Sequence, residues 1–178
     1  MRDHGLEISG IYATMAVRVS DVKVHSPEVS PPPAYELREV LTAEDYSAFA
    51  RAFCEGFEFP ADIIDAEVRH FDANVGMRHY PALRLFGAWH GGRVVATSAS
   101  WTHAGVAGVY CVSTLPEHRG RGLGYAMARL AVLAGAPLSG VAVLQATTMG
   151  APIYRRLGFE DVAEYTVYRS PAPPPSPT

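Results

Sequence analysis

The stretch PEHRGRGLGYAMARLAV, residues 116 to 132, alternates arginine with glycine and then runs on in a helical pattern. Glycine lets a backbone come close to a ligand and leaves its N–H groups uncovered, and a helix start gathers N–H donors that carry partial positive charge. Arg119 and Arg121 add full charges suited to phosphate oxygens. A strand, loop and helix junction of this kind is an anion site, and its extent suits a diphosphate. The competing reading is a flexible surface loop with exposed arginines. Three alternating glycines are costly for a mere loop, because each loses more entropy on ordering than another residue does.

Two familiar phosphate-binding patterns fail on the text. A P-loop needs a Gly-Lys pair, and the single lysine, Lys23, follows a valine. A dinucleotide fingerprint needs G-x-G-x-x-G and an acid about twenty residues on. Here the glycines fall at 120, 122 and 124, and no Asp or Glu occurs between Glu117 and Glu160.

The elements that must position this loop follow from periodicity. Tyr35 to Val40 reads as a strand, and Thr42 with Asp45 three residues on reads as a capping box that opens a helix. Tyr46, Phe49, Phe53 and Phe57 keep helical spacing and are core residues first. A second helix begins near Pro60, with Ile64, Val68 and Phe71 on one face, and CEGFEFP connects the two. LRLFGAW and RVVATSASW form a hairpin about His90-Gly91-Gly92, and the chain turns again at His103 to Gly105. After the arginine-glycine loop comes an amphipathic helix, then GVAVLQA, a short apolar run that should pair parallel to the strand before the loop. Met149 to Leu157 is a short helix closed by Gly158, and FEDVAEYTVYR is the last strand. The fold class is α/β (α+β): a mixed, mostly antiparallel sheet with one parallel splayed strand pair and helices on both faces.

Residues 1–34 form an N-terminal extension ending in a proline-rich linker, residues 35–169 the main domain, and residues 170–178 a disordered Pro-rich tail. The segment GLEISGIYATMAVRVSDVKVHS has β-branched residues for a strand or two, either an extra edge strand or a remnant of an upstream domain. Its SGIYATMA echoes AGVYCVST further on, a match short enough for chance.

The composition is 48% hydrophobic and the formal charge is −3, values of an ordinary soluble protein. A nucleic-acid binder would usually carry a basic excess, so that partner is not expected. Cys54 and Cys111 are too few for a disulfide framework and too far apart for a CxxC metal or redox site, so no metal is expected. No apolar stretch is long enough to cross a bilayer, and a cytoplasmic protein is the expectation. A homodimer is left open.

With these elements in hand, the chain resembles the GNAT superfamily of acetyl-CoA-dependent N-acyltransferases over about residues 35 to 169. Arg119-Gly120-Arg121-Gly122-Leu123-Gly124 is similar to its R/Q-x-x-G-x-G/A signature, and IYRRLGF, Ile153 to Phe159, to its closing motif. The resemblance implies that backbone N–H groups from Gly120 to Tyr125 cradle the coenzyme A pyrophosphate. It implies that the strand ending Val112, Ser113, Thr114 bulges and splays, with main-chain donors of Val112 and Thr114 holding the pantetheine and polarising the thioester carbonyl. Tyr154 would protonate the departing thiolate. Where the family often has an Asn contacting the cofactor, this chain has Thr147.

The expected activity is transfer of an acetyl group from acetyl-CoA to a primary amine of a small or amino-acid-like acceptor, by direct attack in a ternary complex. The alternative is an acyl-CoA-binding regulatory module with weak or no turnover. It draws support from a missing carboxylate, since no Asp or Glu occurs from residue 73 to residue 116, where the family's central strands supply a base. His103, Tyr110, Glu58 and a water chain are the remaining candidates for that role. Cys111 is better read as a packed thiol than as a nucleophile. Glu55, Glu58, Asp62 and Asp65 around the connector would attract a cationic amine or else form a solvated acidic face, and Phe57, Phe59 and Trp101 line an acceptor pocket or belong to the core.

Overall fold

The computed structural model describes residues 5–22, 33–73, 80 and 82–170. The proline-rich stretch before residue 33, the tail from residue 171 and the side chain of Phe71 lie outside the described residues.

Seven strands form one sheet in the order β2-β3-β4-β5-β6-β1-β7. They are β1 (Glu7–Arg18), β2 (Glu36–Glu39), β3 (Leu83–His90), β4 (Arg93–His103), β5 (Val106–Thr114), β6 (Val141–Ala146) and β7 (Glu160–Arg169). The helices are α1 (Ala43–Gly56), α2 (Ala61–Ala73), α3 (Leu123–Gly135) and α4 (Ala151–Leu157). From β2 onward the order of elements is the one read from periodicity. Every neighbouring pair is antiparallel except β5 with β6.

Local chemistry sets the element ends as expected. The Thr42 side chain accepts from the Asp45 N–H at 3.1 Å, and Asp45 Oδ2 accepts from the Thr42 N–H at 3.4 Å, a complete capping box. Arg38 grips the same carboxylate through two bonds of 2.8 and 3.0 Å and lies 3.7 Å over the Trp89 ring. Gly91 and Gly92 turn the β3–β4 hairpin with φ of 58° and 80°. Gly158 closes α4 at φ 105°.

The leading segment, which the sequence left open between an extra edge strand and a remnant of an upstream domain, is an interior strand of the sheet. β1 runs antiparallel to both β6 and β7, with Ala13 opposite Ala146 on one side and Glu164 on the other. Met15 and Val17 are buried in the core that also holds Leu144, Tyr154 and Leu157. Periodicity reports that a segment is a strand; it is silent on which strand will be its neighbour.

Candidate functional site

The strand before the arginine-glycine loop is broken by a bulge. Thr97 pairs with Ser113 and Ala99 with Tyr110, so two residues, Cys111 and Val112, stand opposite Ser98. Cys111 takes φ 53°, a left-handed conformation unusual for a side-chain-bearing residue. A buried polar set holds it: the Thr97 hydroxyl donates to the Cys111 carbonyl at 2.7 Å and lies 2.9 Å from the Ser113 hydroxyl. The Ser113 hydroxyl reaches the Ala52 carbonyl in α1 at 3.3 Å. A Cβ on Gly56 would come within 2.7 Å of Ser113 Oγ, so only glycine lets α1 end against the bulge.

Beyond Gly108 opposite Val143, β5 and β6 share no further pairs. Leu115 donates its N–H to the Val95 carbonyl at 3.0 Å, and alternation along the strand turns the N–H groups of Val112 and Thr114 the other way, into the splay. At the mouth of this gap α3 begins. Gly122, at φ 78°, is its cap, and the Ala126 N–H is the first to bond back, to the Gly122 carbonyl at 3.1 Å. The N–H groups of Leu123 and Gly124 therefore precede the helical ladder. Gly120, at φ 74°, has open space where a side chain would begin.

Splay and helix start open on one cavity of about 970 Å³. It brings together Val112, Ser113, Thr114, Arg119, Gly120, Gly122, Leu123, Gly124, Tyr125, Thr147 and Tyr154. Arg121 is the exception: its guanidinium donates to the Tyr35 hydroxyl and to the Glu117 carbonyl, each at 3.1 Å, and it does not line the cavity. Arg119 does line it but faces the protein, donating to the Thr114 carbonyl at 3.2 Å and the Gly56 carbonyl at 2.9 Å and pairing with Glu58 at 2.8 Å. It ties the loop to the connector after α1, where Glu58 itself adopts φ 57°.

Thr147 caps the turn into α4, its hydroxyl oxygen accepting from the Gly150 N–H at 3.1 Å, which leaves the O–H proton available to a neighbour. Tyr154 stands on α4 with its ring against Phe159, and burial pushes its phenol up to about 12. Burial, then the nearby Cys54, pushes the Cys111 thiol up to about 11, the behaviour of a packed thiol.

The candidate bases fare unevenly. Tyr110 and Glu58 line the cavity, Glu58 within its ion pair, and His103 is exposed at the β4–β5 turn away from it. The acidic residues expected to attract a cation are largely matched by arginines: Glu55 with Arg93 at 2.6 Å, Asp65 with Arg51 at 3.3 Å, and Glu58 as above. Phe57 lines the cavity; Phe59 and Trp101 do not, Phe59 stacking with Phe53 and Trp101 with Tyr80. Among the described residues no group of three or more His, Cys, Asp or Glu could hold a metal ion, and no helix is long and apolar enough to cross a membrane.

Sequence reasoning missed several lining residues. His118 hydrogen-bonds the Tyr35 hydroxyl at 3.0 Å, and burial, then the Arg121 charge, push its imidazole below the ordinary range. Arg156 reaches in beside the Tyr125 ring, 5.8 Å from its centre. From β1 come Gly10, Ile11 and Tyr12. The signal for these was the echo between SGIYATMA and AGVYCVST. In each, a tyrosine ring lies over the glycine two residues before it, Tyr12 on Gly10 and Tyr110 on Gly108, and the two units flank β6 at the same cavity.

Known proteins agree with this geometry. Residues 81–161 match the model of the acetyltransferase (GNAT) domain family. A GCN5-related N-acetyltransferase from Kribbella flavida is 27% identical, with a TM-score of 0.68 over 94% of this chain and 60% of its own. One from Sphaerobacter thermophilus has a TM-score of 0.67 at 20% identity, over 94% of this chain and 53% of its own. A predicted acetyltransferase with acetyl-CoA from Clostridium acetobutylicum has a TM-score of 0.54 at 23% identity, covering 72% of this chain and 91% of its own. The chain thus spans little more than half the length of the first two. No curated protein matches it. By its bulged and splayed strands, its glycine-led helix start and these likenesses, the chain has the GNAT fold, with residues 81–161 matching the acetyltransferase (GNAT) domain family.

Proposed function

We propose that the protein transfers an acetyl group from acetyl-CoA to a primary amine of a small or amino-acid-like acceptor, by direct attack in a ternary complex. The observation that carries this reading is the opening of one cavity on both a splayed strand end and a glycine-capped helix start. The fit to the cofactor is good: open space at Gly120 and first-turn amides suit a pyrophosphate, and the splay admits an extended arm. Bound there, acetyl-CoA supplies an acyl group activated as a thioester.

The chain's own groups do the rest. Amides of Gly120, Gly122, Leu123, Gly124 and Tyr125 receive the phosphates. The N–H groups of Val112 and Thr114, turned into the splay, orient the pantetheine and carbonyl where β6 would otherwise pair. Thr147 donates its hydroxyl proton to the same arm. Tyr154, whose phenol is protonated at neutral pH, gives its proton to the leaving sulfur. Arg119 acts indirectly by fixing the loop to the connector, and phosphate charge is met chiefly by the amides and Arg156.

The test is thermal. A ligand at a hundred times its Kd stabilises the folded form by about 2.7 kcal/mol, an upward shift of roughly 5 to 10 °C for a chain of this size. Acetyl-CoA should produce it and NAD should not. Equal shifts, or none, would overturn the proposal, whereas a shift with acetyl-CoA but no thiol release across a broad amine panel would favour the binding module.

A further inference from the structure

The sheet's two faces divide the cavity. Val109 and Leu144 are buried in the core against α3, on the face where the amide cradle lies. Their neighbours Tyr110 and Gln145 point to the opposite face, the one α1 covers in part. Thr14 stands opposite Gln145, so Tyr12, two residues before it, shares that face, and Phe57 descends to it from the end of α1. Met149 completes the rim. Three of these side chains are large and open to the cavity: Phe57 is 42% exposed, Tyr110 46% and Met149 68%.

This wall offers an alkylammonium no free carboxylate. Among the described lining residues Glu58 is the one carboxylate, and Arg119 holds it at 2.8 Å. The cavity's basic groups, Arg119, Arg156 and His118, belong to the arginine-glycine loop and the cradle side. His118 belongs to the loop leading to the cradle, with its Nδ1 engaged by Tyr35 at 3.0 Å. An ammonium entering here would meet an already neutralised acid, with no other carboxylate among the described lining residues to take its proton.

We infer that the acceptor is an arylamine, a weakly basic aromatic amine that arrives with its lone pair free and lays its ring among Phe57, Tyr12 and Tyr110. The inference rests on the acyl-transfer reading of the same cavity and narrows it. The nitrogen lone pair forms the new bond to the acyl carbon, and the carbon–sulfur bond breaks with its electrons on sulfur. Tyr154 gives its proton to that sulfur, and the proton that the nitrogen sheds returns through solvent to the Tyr154 oxygen. Atoms and charge balance with no further reactant: arylamine and thioester become amide and thiol.

A matched pair separates the classes: 4-methoxyaniline and 4-methoxybenzylamine are nearly alike in shape and differ in basicity. Titration calorimetry of each into the coenzyme A complex should show the aniline bound at least about tenfold more tightly at neutral pH, because the benzylamine must shed a proton or leave its charge unpaired. Its acetylation should exceed that of the benzylamine by a similar factor in kcat/KM. Phe57→Ala, at a half-exposed position, should weaken aniline binding about tenfold and leave acetyl-CoA affinity within about twofold. Preference for the benzylamine or for a polyamine would overturn the inference. So would failure of both amines to bind a protein that binds coenzyme A. Failure to bind coenzyme A at all would instead bring down the acyl-transfer reading itself.

Discussion

Thr97→Val tests whether the bulge is maintained by a hydroxyl. The two side chains are nearly the same size, so the change removes hydrogen bonds with little loss of volume. Thr97 is fully buried, and its oxygen holds the Cys111 carbonyl at 2.7 Å and the Ser113 hydroxyl at 2.9 Å. Each bond is worth about 1 kcal/mol net, and a buried carbonyl left bare costs about 1–3 kcal/mol. Ser113 keeps its contact with Ala52, so the total should be about 2–3 kcal/mol. For a chain of this size that is a Tm lower by roughly 5 to 10 °C in differential scanning calorimetry. Loss of the left-handed turn at Cys111 would also let Val112 and Thr114 swing from the splay, and acetyl-CoA affinity should fall about tenfold. Thr97→Ser, which keeps the hydroxyl, should fall by no more than about 1.5 kcal/mol. If Thr97→Val melted with the native protein and bound acetyl-CoA as well, the bulge would owe nothing to this network.

Tyr154→Phe should lower kcat by about a hundredfold or more while KM for acetyl-CoA holds within about twofold, and an unchanged kcat would remove the tyrosine from the reaction. Because burial raises the Tyr154 phenol from its ordinary 10.0 to about 12, the stability carried by its protonated form is whole below pH 10 and is lost as pH climbs toward about 12. Denaturant titrations across that interval should show the slope, and Tyr154→Phe should flatten it. Asp45 behaves in the opposite sense: the paired Arg38 guanidinium holds its carboxyl below the ordinary 3.8, so its contribution is present above that value and lost as pH falls through the depressed one. Asp45→Asn should erase that acid sensitivity in melting curves. Gly122→Ala places a side chain at φ 78°, and should cost about 1–2 kcal/mol and weaken acetyl-CoA binding, both measurable by calorimetry.

Much of this was legible in the chain because the signals were local. Thr42 and Asp45 lie three residues apart, Gly158 follows the last helical residue of α4, and the glycines ahead of Leu123 adjoin the helix they cap. Each is decided by neighbours within one turn. The splay was legible only through resemblance, since it depends on Thr97 meeting Cys111 across two strands. The motif arginines show where pattern ends: type and spacing suggested phosphate ligands, but Tyr35, Glu58 and the Thr114 and Gly56 carbonyls claim them, and all are set by tertiary packing. Glu55 and Asp65 likewise read as free acids until Arg93 and Arg51 are brought beside them.

The placement of β1 bears on how the molecule is assembled. Met15 pairs with Leu144 on one flank and Asp161 on the other, so β1 finds its partners only in strands far along the chain. Until it docks, β6 and β7 have no hydrogen bonds to exchange with each other and Tyr154 lacks part of its surrounding core. A change in β1 would thus act at the seam of the sheet and at the rim of the cavity together.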